Sequence, residues 1–275
     1  MVAFRKAPAN VVCLQARLDF YNPRQNLLTH WFTAEYAQWF NLTLPGLHAV
    51  DGVVPLGGTS NHFVTAKLRE LGAWDPYNVT EDADLGVRIR RAGYRTAMFN
   101  AVTYEEANSA LPNWIRQRTR WLKGWMQTWL VHLRHPRRLW RELGPGAFLG
   151  FHAVVGGTVL VALVNPLLWA VTTLWFLGRW EAIATLFPGP VFYLAAWSCY
   201  VGNVSMAYLF VMGAFLRGHD AVVRSGLTAP LYWVLLSVAA WRAVHQLLVR
   251  PSYWEKTAHG LHQTAGLEGT WSGVS

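Results

Sequence analysis

Charge is scarce in this chain. Asp, Glu, Lys and Arg make up 14% of its 275 residues, against about a quarter in an ordinary soluble domain. The scarcity is regional, with no charged residue between Glu142 and Arg179, between Glu181 and Arg217, or between Arg224 and Arg242. The first two gaps can each hold a membrane-crossing helix, which takes about 20 apolar residues; the third is shorter. Cysteine is nearly absent. Cys13 and Cys199 have no partner at metal or redox spacing, so both are expected as buried thiols. The ten His form no H-x-x-x-H pair; His152 and His245 read as ordinary helix residues. No Ser-His-Asp arrangement or phosphate-cradling glycine loop can be recognised. The opening MVAFRKAPAN has no apolar signal core, so membrane insertion is expected to use the later segments. The sequons at Asn41, Asn78 and Asn203 read as chance.

What the chain has is apolar bulk: 53% hydrophobic residues, sixteen of them Trp, and a net charge of +9. In a soluble protein that balance would point to nucleic acid. Here the positions argue otherwise: eight Lys or Arg and no acid lie between Asn113 and Arg141, directly before the first apolar gap. Basic residues beside a span mark the cytoplasmic side and favour anionic headgroups. The reading is a membrane protein that does not bind nucleic acid, polar over 1–143, membrane-embedded over 144–250, and ending in a short segment and tail over 251–275. Spans are expected at about 148–178, kinked at Asn165-Pro166, and 190–216, with a short outer loop at 179–189. The segment 227–249 carries Ser237, Arg242, His245 and Gln246. A charge in mid-span is costly, so an interfacial helix fits it better than a third span. The last fifteen residues read as disordered.

Along the polar half, 11–18 reads as a buried strand and 24–44 as a helix ended by Pro45-Gly46. Residues 53–56 read as strand-like and 61–71 as a helix; Trp74 and Tyr77 are expected in the core. A helix follows over 81–92 with Gly93 as its stop, then a strand at 95–102 and a long helix from Pro112. This is α/β order with too few strands for a complete sheet.

Two short stretches stand out. At 80–84, T-E-D-A-D crowds three of the chain's 15 acids. A helix start accounts for them: Thr80 as N-cap, Glu81, Asp82 and Asp84 complementing the dipole. At 117–121, Q-R-T-R-W puts Gln117, Arg120 and Trp121 on one helix face. That face suits an anionic group beside a flat apolar ring, although a helix at a membrane surface would also carry Arg and Trp.

Taken together, T-E-D followed about thirty-five residues later by Q-x-x-R-W and then apolar spans resembles the processive family-2 glycosyltransferases, the cellulose, hyaluronan and chitin synthases and their bacterial relatives. G-G-T-S-N at 57–61 resembles the small-residue acceptor motif of that family, and Y-W-E-K-T-A-H-G at 253–260 sits where its members carry a gating loop. The resemblance covers roughly residues 10–262.

It implies an incomplete GT-A-type, Rossmann-like α/β domain followed by membrane helices, and a hexosyl transfer that inverts the anomeric carbon. Asp82, within Thr80-Glu81-Asp82, would be the general base, kept ionised by the helix N-terminus. Gln117 and Arg120 would meet the nucleotide diphosphate, and Trp121 the acceptor sugar. Thr59, Ser60, Asn61 and His62 would also line the acceptor site, and Lys256 or Thr257 would close over the nucleotide. The family carries an upstream half with a further aspartate and a D-x-D motif for a divalent metal, Mg or Mn. The D-x-D in this chain, Asp82-Ala83-Asp84, belongs to the T-E-D helix, where side chains two apart diverge by about 200°, so no metal ligand is expected within the chain. The donor-binding half is therefore expected to be missing here and could come from a partner. The implied partners are a nucleotide sugar, UDP-linked by preference, a polysaccharide or lipid-linked acceptor, and membrane lipid, at the inner (plasma) membrane with the catalytic side cytoplasmic. The alternative is a non-catalytic translocation or scaffold subunit that keeps only the acceptor channel.

Overall fold

The computed structural model describes residues 2–178, 185, 189–258 and 260. The expected outer loop and disordered tail fall almost wholly outside the described residues. After a short helix α1 (Val2–Lys6), strand β1 (Val11–Phe20) runs through the centre of a three-stranded sheet of order β2-β1-β3. It pairs antiparallel with β2 (Asn61–Phe63) and parallel with β3 (Arg95–Glu105). As the middle strand it is buried on both faces, which is why VVCLQARLDF reads as a nearly continuous apolar run.

Helix α2 (Leu27–Gln38) is capped by Asn26, whose side chain accepts from Thr29 N–H while Thr29 Oγ1 accepts in return. It does not end at Pro45-Gly46. A π-turn at Trp39–Thr43 leads into α3 (Leu44–Ala49), and Pro45 sits in that first turn, where a missing N–H costs nothing. Residues 61–71 are not one helix. Asn61–Phe63 are drawn into the sheet by the free edge of β1, and α4 covers only Thr65–Glu70. Residues 53–56 are buried but unpaired, running beneath α5 (Glu81–Arg91) where Gly86 lets the Val54 carbonyl approach; a Cβ there would stand 2.2 Å from it. Trp74 and Tyr77 are not core residues, being 45% and 82% exposed.

Helix α6 (Leu111–His132) is followed by α7 (Pro136–Phe151), a π-turn, and α8 (Gly157–Gly178), with Pro166 inside α8. Then come α9 (Gly189–Trp197), α10 (Asn203–Leu216), α11 (Asp220–Val223) and α12 (Ala229–Val249). Three stretches, Pro136–Gly178, Gly189–Leu216 and Asp220–Val249, are long and apolar enough to cross a membrane. Asn165 and Asn203 hydrogen-bond between the first two, at 2.9 Å. Arg242 on α12 is matched by Glu255 at 2.5 Å, and Gln246 donates to the same carboxylate.

The two halves are bolted together by buried ions. Arg118 of α6 donates to Glu35 of α2 and, at 2.9 Å, to Tyr232 of α12. Arg217, just past α10, reaches Asp19 of β1 at 3.0 Å, and His219 joins the same carboxylate at 2.9 Å.

Candidate functional site

Asp82 lies in the first turn of α5, half-buried, with Oδ1 accepting from the Ala83 N–H at 2.7 Å. The acceptor-motif loop passes directly over it: a Cβ on Gly58 would stand 3.2 Å from Asp82 Oδ2. Burial and the neighbouring Glu81 charge push the Asp82 carboxyl up to about 6, with the Ala83 N–H and Arg120 pulling the other way. The helix N-terminus therefore does not hold it low, because lost hydration outweighs the dipole.

Thr80 precedes the helix without capping it through its side chain. Its N–H donates to Asn78 Oδ1 at 3.0 Å, and its side chain fills the space at Gly124 of α6, where a Cβ would clash at 2.2 Å. Asn78 also donates to Thr128 of α6 at 2.8 Å. T-E-D is thus pinned to the helix that carries Q-x-x-R-W.

On α6, Gln117 Oε1 and Arg120 Nε are buried without a hydrogen-bond partner among the described residues. Burial pulls the Arg120 guanidinium below its ordinary value, while Asp82 and Glu81 support its charge. Trp121 stacks on Tyr36, centroids 6.4 Å apart, with the Arg118 guanidinium 4.7 Å over its ring, so part of that ring is already backed by the core. The charges of Glu105 and Asp82 both reach Tyr36, which burial pushes well up.

The 57–61 loop is held from below. Gln15, fully buried on β1, accepts from Gly57 N–H at 2.9 Å and donates to the Thr59 carbonyl at 3.1 Å. Thr59 Oγ1 donates to Glu105 at 2.5 Å, Ser60 pairs with Thr103, and Asn61 donates to the Gly57 carbonyl. Asn61 Oδ1 is left buried and unpartnered. His62 is exposed, edge-on to Phe99 on the sheet.

Residues 251–258 lie along α6. Gln127 donates to the Pro251 carbonyl at 3.0 Å, Lys123 to that of Tyr253, and the Asn113 side chain both donates to and accepts from Ala258. The residue that reaches Arg120 is Trp254, its ring 5.2 Å from the guanidinium carbon. Lys256 is exposed and Thr257 half-buried in the same stretch.

The sequence thus brings Asp82, Glu81, Arg120 and the Gly58 loop together. No role was assigned from the sequence to Gln15, Asn78, Tyr36, Glu105 or Trp254. For Gln15 a signal was there: a polar amide in a strand that reads as buried.

Residues 2–254 match the family described as glycosyl transferase family group 2. This chain belongs to that family. It is 29% identical over 104 residues to a probable glycosyltransferase, YdaM, of Bacillus subtilis, covering 38% of this chain and 25% of that protein. It is 24% identical over 280 residues to bacteriophage adsorption protein B of Escherichia coli K12, covering 84% of this chain and 36% of that one. A probable glucomannan 4-beta-mannosyltransferase 7 of Oryza sativa subsp. japonica matches at 27% over 124 residues, 45% of this chain and 21% of the relative. The aligned part is therefore about a third or less of the curated relatives it matches. Among the described residues no three His, Cys, Asp or Glu side chains converge to hold a metal ion. Asp84 is committed to Arg88 at 2.7 Å and His132 at 2.9 Å. Among the described residues, the divalent ion that family resemblance implies finds no fitting ligand set.

Proposed function

We propose that this glycosyltransferase chain forms the acceptor side of an inverting, membrane-bound hexosyltransferase that uses a nucleotide sugar, UDP-linked by preference, and a polysaccharide or lipid-linked acceptor. One observation carries the reading: the half-buried Asp82, with its carboxyl near 6, stands between the Gly58 loop and Arg120. A base with that value is mostly ionised at neutral pH yet holds a proton more readily than an ordinary carboxylate, which suits general-base work.

Asp82 removes the acceptor hydroxyl proton as that oxygen bonds to the anomeric carbon. The bond to the nucleotide diphosphate breaks on the opposite side, and the single displacement inverts the centre. Arg120, whose buried Nε–H has no partner among the described residues, and the side-chain N–H groups of Gln117 receive the growing negative charge. Trp121 bears the acceptor ring, and Thr59, Ser60, Asn61 and His62 line its approach. Lys256 and Thr257 ride on the segment that already reaches Arg120 through Trp254. The donor-binding half, with any Mg or Mn ligands, is contributed from outside these residues, by the same polypeptide or by a partner.

The basic stretch before α8 supports a cytoplasmic catalytic side at the inner membrane. Helix α12 is read as lying in the interface, although its stretch is also long and apolar enough to span. At its start Trp31 bonds to Thr228 at 2.8 Å, and just past its end Gln127 bonds to Pro251, so both ends are tied to the polar half.

The test is transfer by the full-length protein in membrane vesicles supplied singly with radiolabelled UDP- and GDP-sugars. Label in a polymer or lipid product, lost in Asp82→Asn while UDP binding persists, supports the reading. Absence of transfer with every donor would favour the scaffold role, and full activity in Asp82→Asn would remove Asp82 as the base.

A further inference from the structure

Beyond the transfer site, the start of α7 carries an unusual surface. Helix α7 breaks at Gly144, whose φ of 73° turns the chain between a short basic helix, residues 136–143, and the apolar helix that follows. One face of the basic helix is spoken for: Leu139 and Leu143 are buried with Val53 and with Val87 of α5. The other face exposes Arg137, Trp140 and Arg141, which with Pro136 line an open cleft.

The arginines here are not equivalent. Arg138 is held in an ion pair by Glu142 at 2.6 Å, and Arg91 of α5 shares the same carboxylate at 2.6 Å. Arg134, Arg137 and Arg141 have no ion-pair partner among the described residues. Arg137 and Arg141 are i, i+4 and so project from one side of the helix. Trp140, 44% exposed, packs edge-on against Phe148 beyond the break, centroids 5.0 Å apart. It therefore bridges the basic helix and the apolar one, at the level where an indole sits best in a bilayer. Leu130 and Val131, also exposed, lie just before this basic turn in the chain.

We propose that Arg137, Trp140 and Arg141 form a binding site for the headgroup of an anionic phospholipid. The two free guanidinium groups bracket the phosphodiester, Trp140 lies at the glycerol level, and the acyl chains follow the exposed apolar side of the helix beyond Gly144. Because Val87 packs on this helix and Arg91 is tied to Glu142, the bound lipid would brace the helix whose first turn holds Asp82. The proposal does not depend on glycosyl transfer.

The test uses the full-length protein, equilibrated in detergent with equimolar phosphatidylcholine and phosphatidylglycerol, purified, and analysed for retained lipid by native mass spectrometry. The wild type should retain phosphatidylglycerol preferentially. Arg137→Gln with Arg141→Gln should lower that preference roughly thirtyfold, the scale of two charges removed from an anionic surface. The double Lys variant should keep most of it. Arg138→Gln should change it little, since that guanidinium is engaged by Glu142 and does not line the cleft. Equal losses in Arg138→Gln and the double Gln variant would mean diffuse surface charge and overturn the site. So would equal retention of both lipids by the wild type, or displacement of the lipid by soluble glycerophosphoglycerol at matched concentration. Melting temperatures of each variant separate lost binding from lost folding.

Discussion

Asp82 and Asp84 stand two residues apart on α5, and their surroundings push them in opposite directions. Burial and Glu81 raise the Asp82 carboxyl to about 6. Burial also opposes the charge on Asp84, but the hydrogen bond from His132 and the Arg88 guanidinium outweigh it and hold that carboxyl below its ordinary value. Arg118 and Arg120 repeat the contrast on α6. Burial works against the charge of both. Glu35 and Tyr232 more than restore it at Arg118, whereas Asp82 and Glu81 do not at Arg120, which stays depressed. Each helix thus carries one ion that holds the fold and, two residues away, one left short of partners. Divergent environments of this kind mark groups available for chemistry.

The sharpest way to break this comparison is to exchange the outcomes of Asp→Asn at the two positions. Asp82→Asn should lower transfer by at least about a hundredfold, the scale of a lost general base. It should also raise the melting temperature at pH 7. A carboxyl whose folded value lies above its unfolded one costs stability once ionised, so stability falls as pH rises between about 4 and about 6, and Asn escapes that cost. Asp84→Asn should instead destabilise by about 3 kcal/mol, because it removes the counter-charge of Arg88 and the carboxylate that buried His132 meets. Chemical denaturation of both variants would read the sign; a stabilised Asp84→Asn would sink the contrast.

Next in size, Arg118→Met should lose folding or membrane assembly, since the Glu35 carboxylate would lose its counter-charge and keep only the Tyr232 hydroxyl, at 2.6 Å. Arg120→Met should melt near wild type yet lose UDP affinity. Equal melting temperatures for the two variants would mean that the ion network at Arg118 contributes little.

The pH profile offers a finer test. Transfer should rise with pH through an apparent value of about 6 as Asp82 loses its proton. Glu81→Gln removes a charge that raises it and should move this limb to lower pH. An unmoved limb would mean that another group titrates there.

The smallest effect concerns the floor of the site. Gly86→Ala must push its Cβ against the Val54 carbonyl, 2.2 Å away without relaxation, and should cost about 1–3 kcal/mol. The same change at Gly93, whose φ is +81°, should cost about 1 kcal/mol. Thermal melts in detergent would rank the two.

Much of this molecule could be read from its residues. Period and charge gaps locate β1, α5, α6 and the apolar helices, because an amphipathic or fully buried element must write its period into the chain. The pairing of T-E-D with Q-x-x-R-W by order and spacing pointed to the family that the comparison then established. Residues 61–63 were legible only as part of a helix, since nothing local announces a strand that exists because β1 has a free edge beside it. Tyr77 was misplaced because an aromatic ring beside a proline looks alike inside and outside.

Composition and motif order determined the class, the polar and apolar halves and the residues of T-E-D and Q-x-x-R-W, all of which depend on near neighbours in sequence. Only the tertiary structure decided which Asp and which Arg are spent on the fold and which are left available. Partners for those ions come from 48 and 83 positions away, as with His132 for Asp84 and Glu35 for Arg118. A charge's cost and its pKa are set by what surrounds it after the chain has closed, and that no local pattern records.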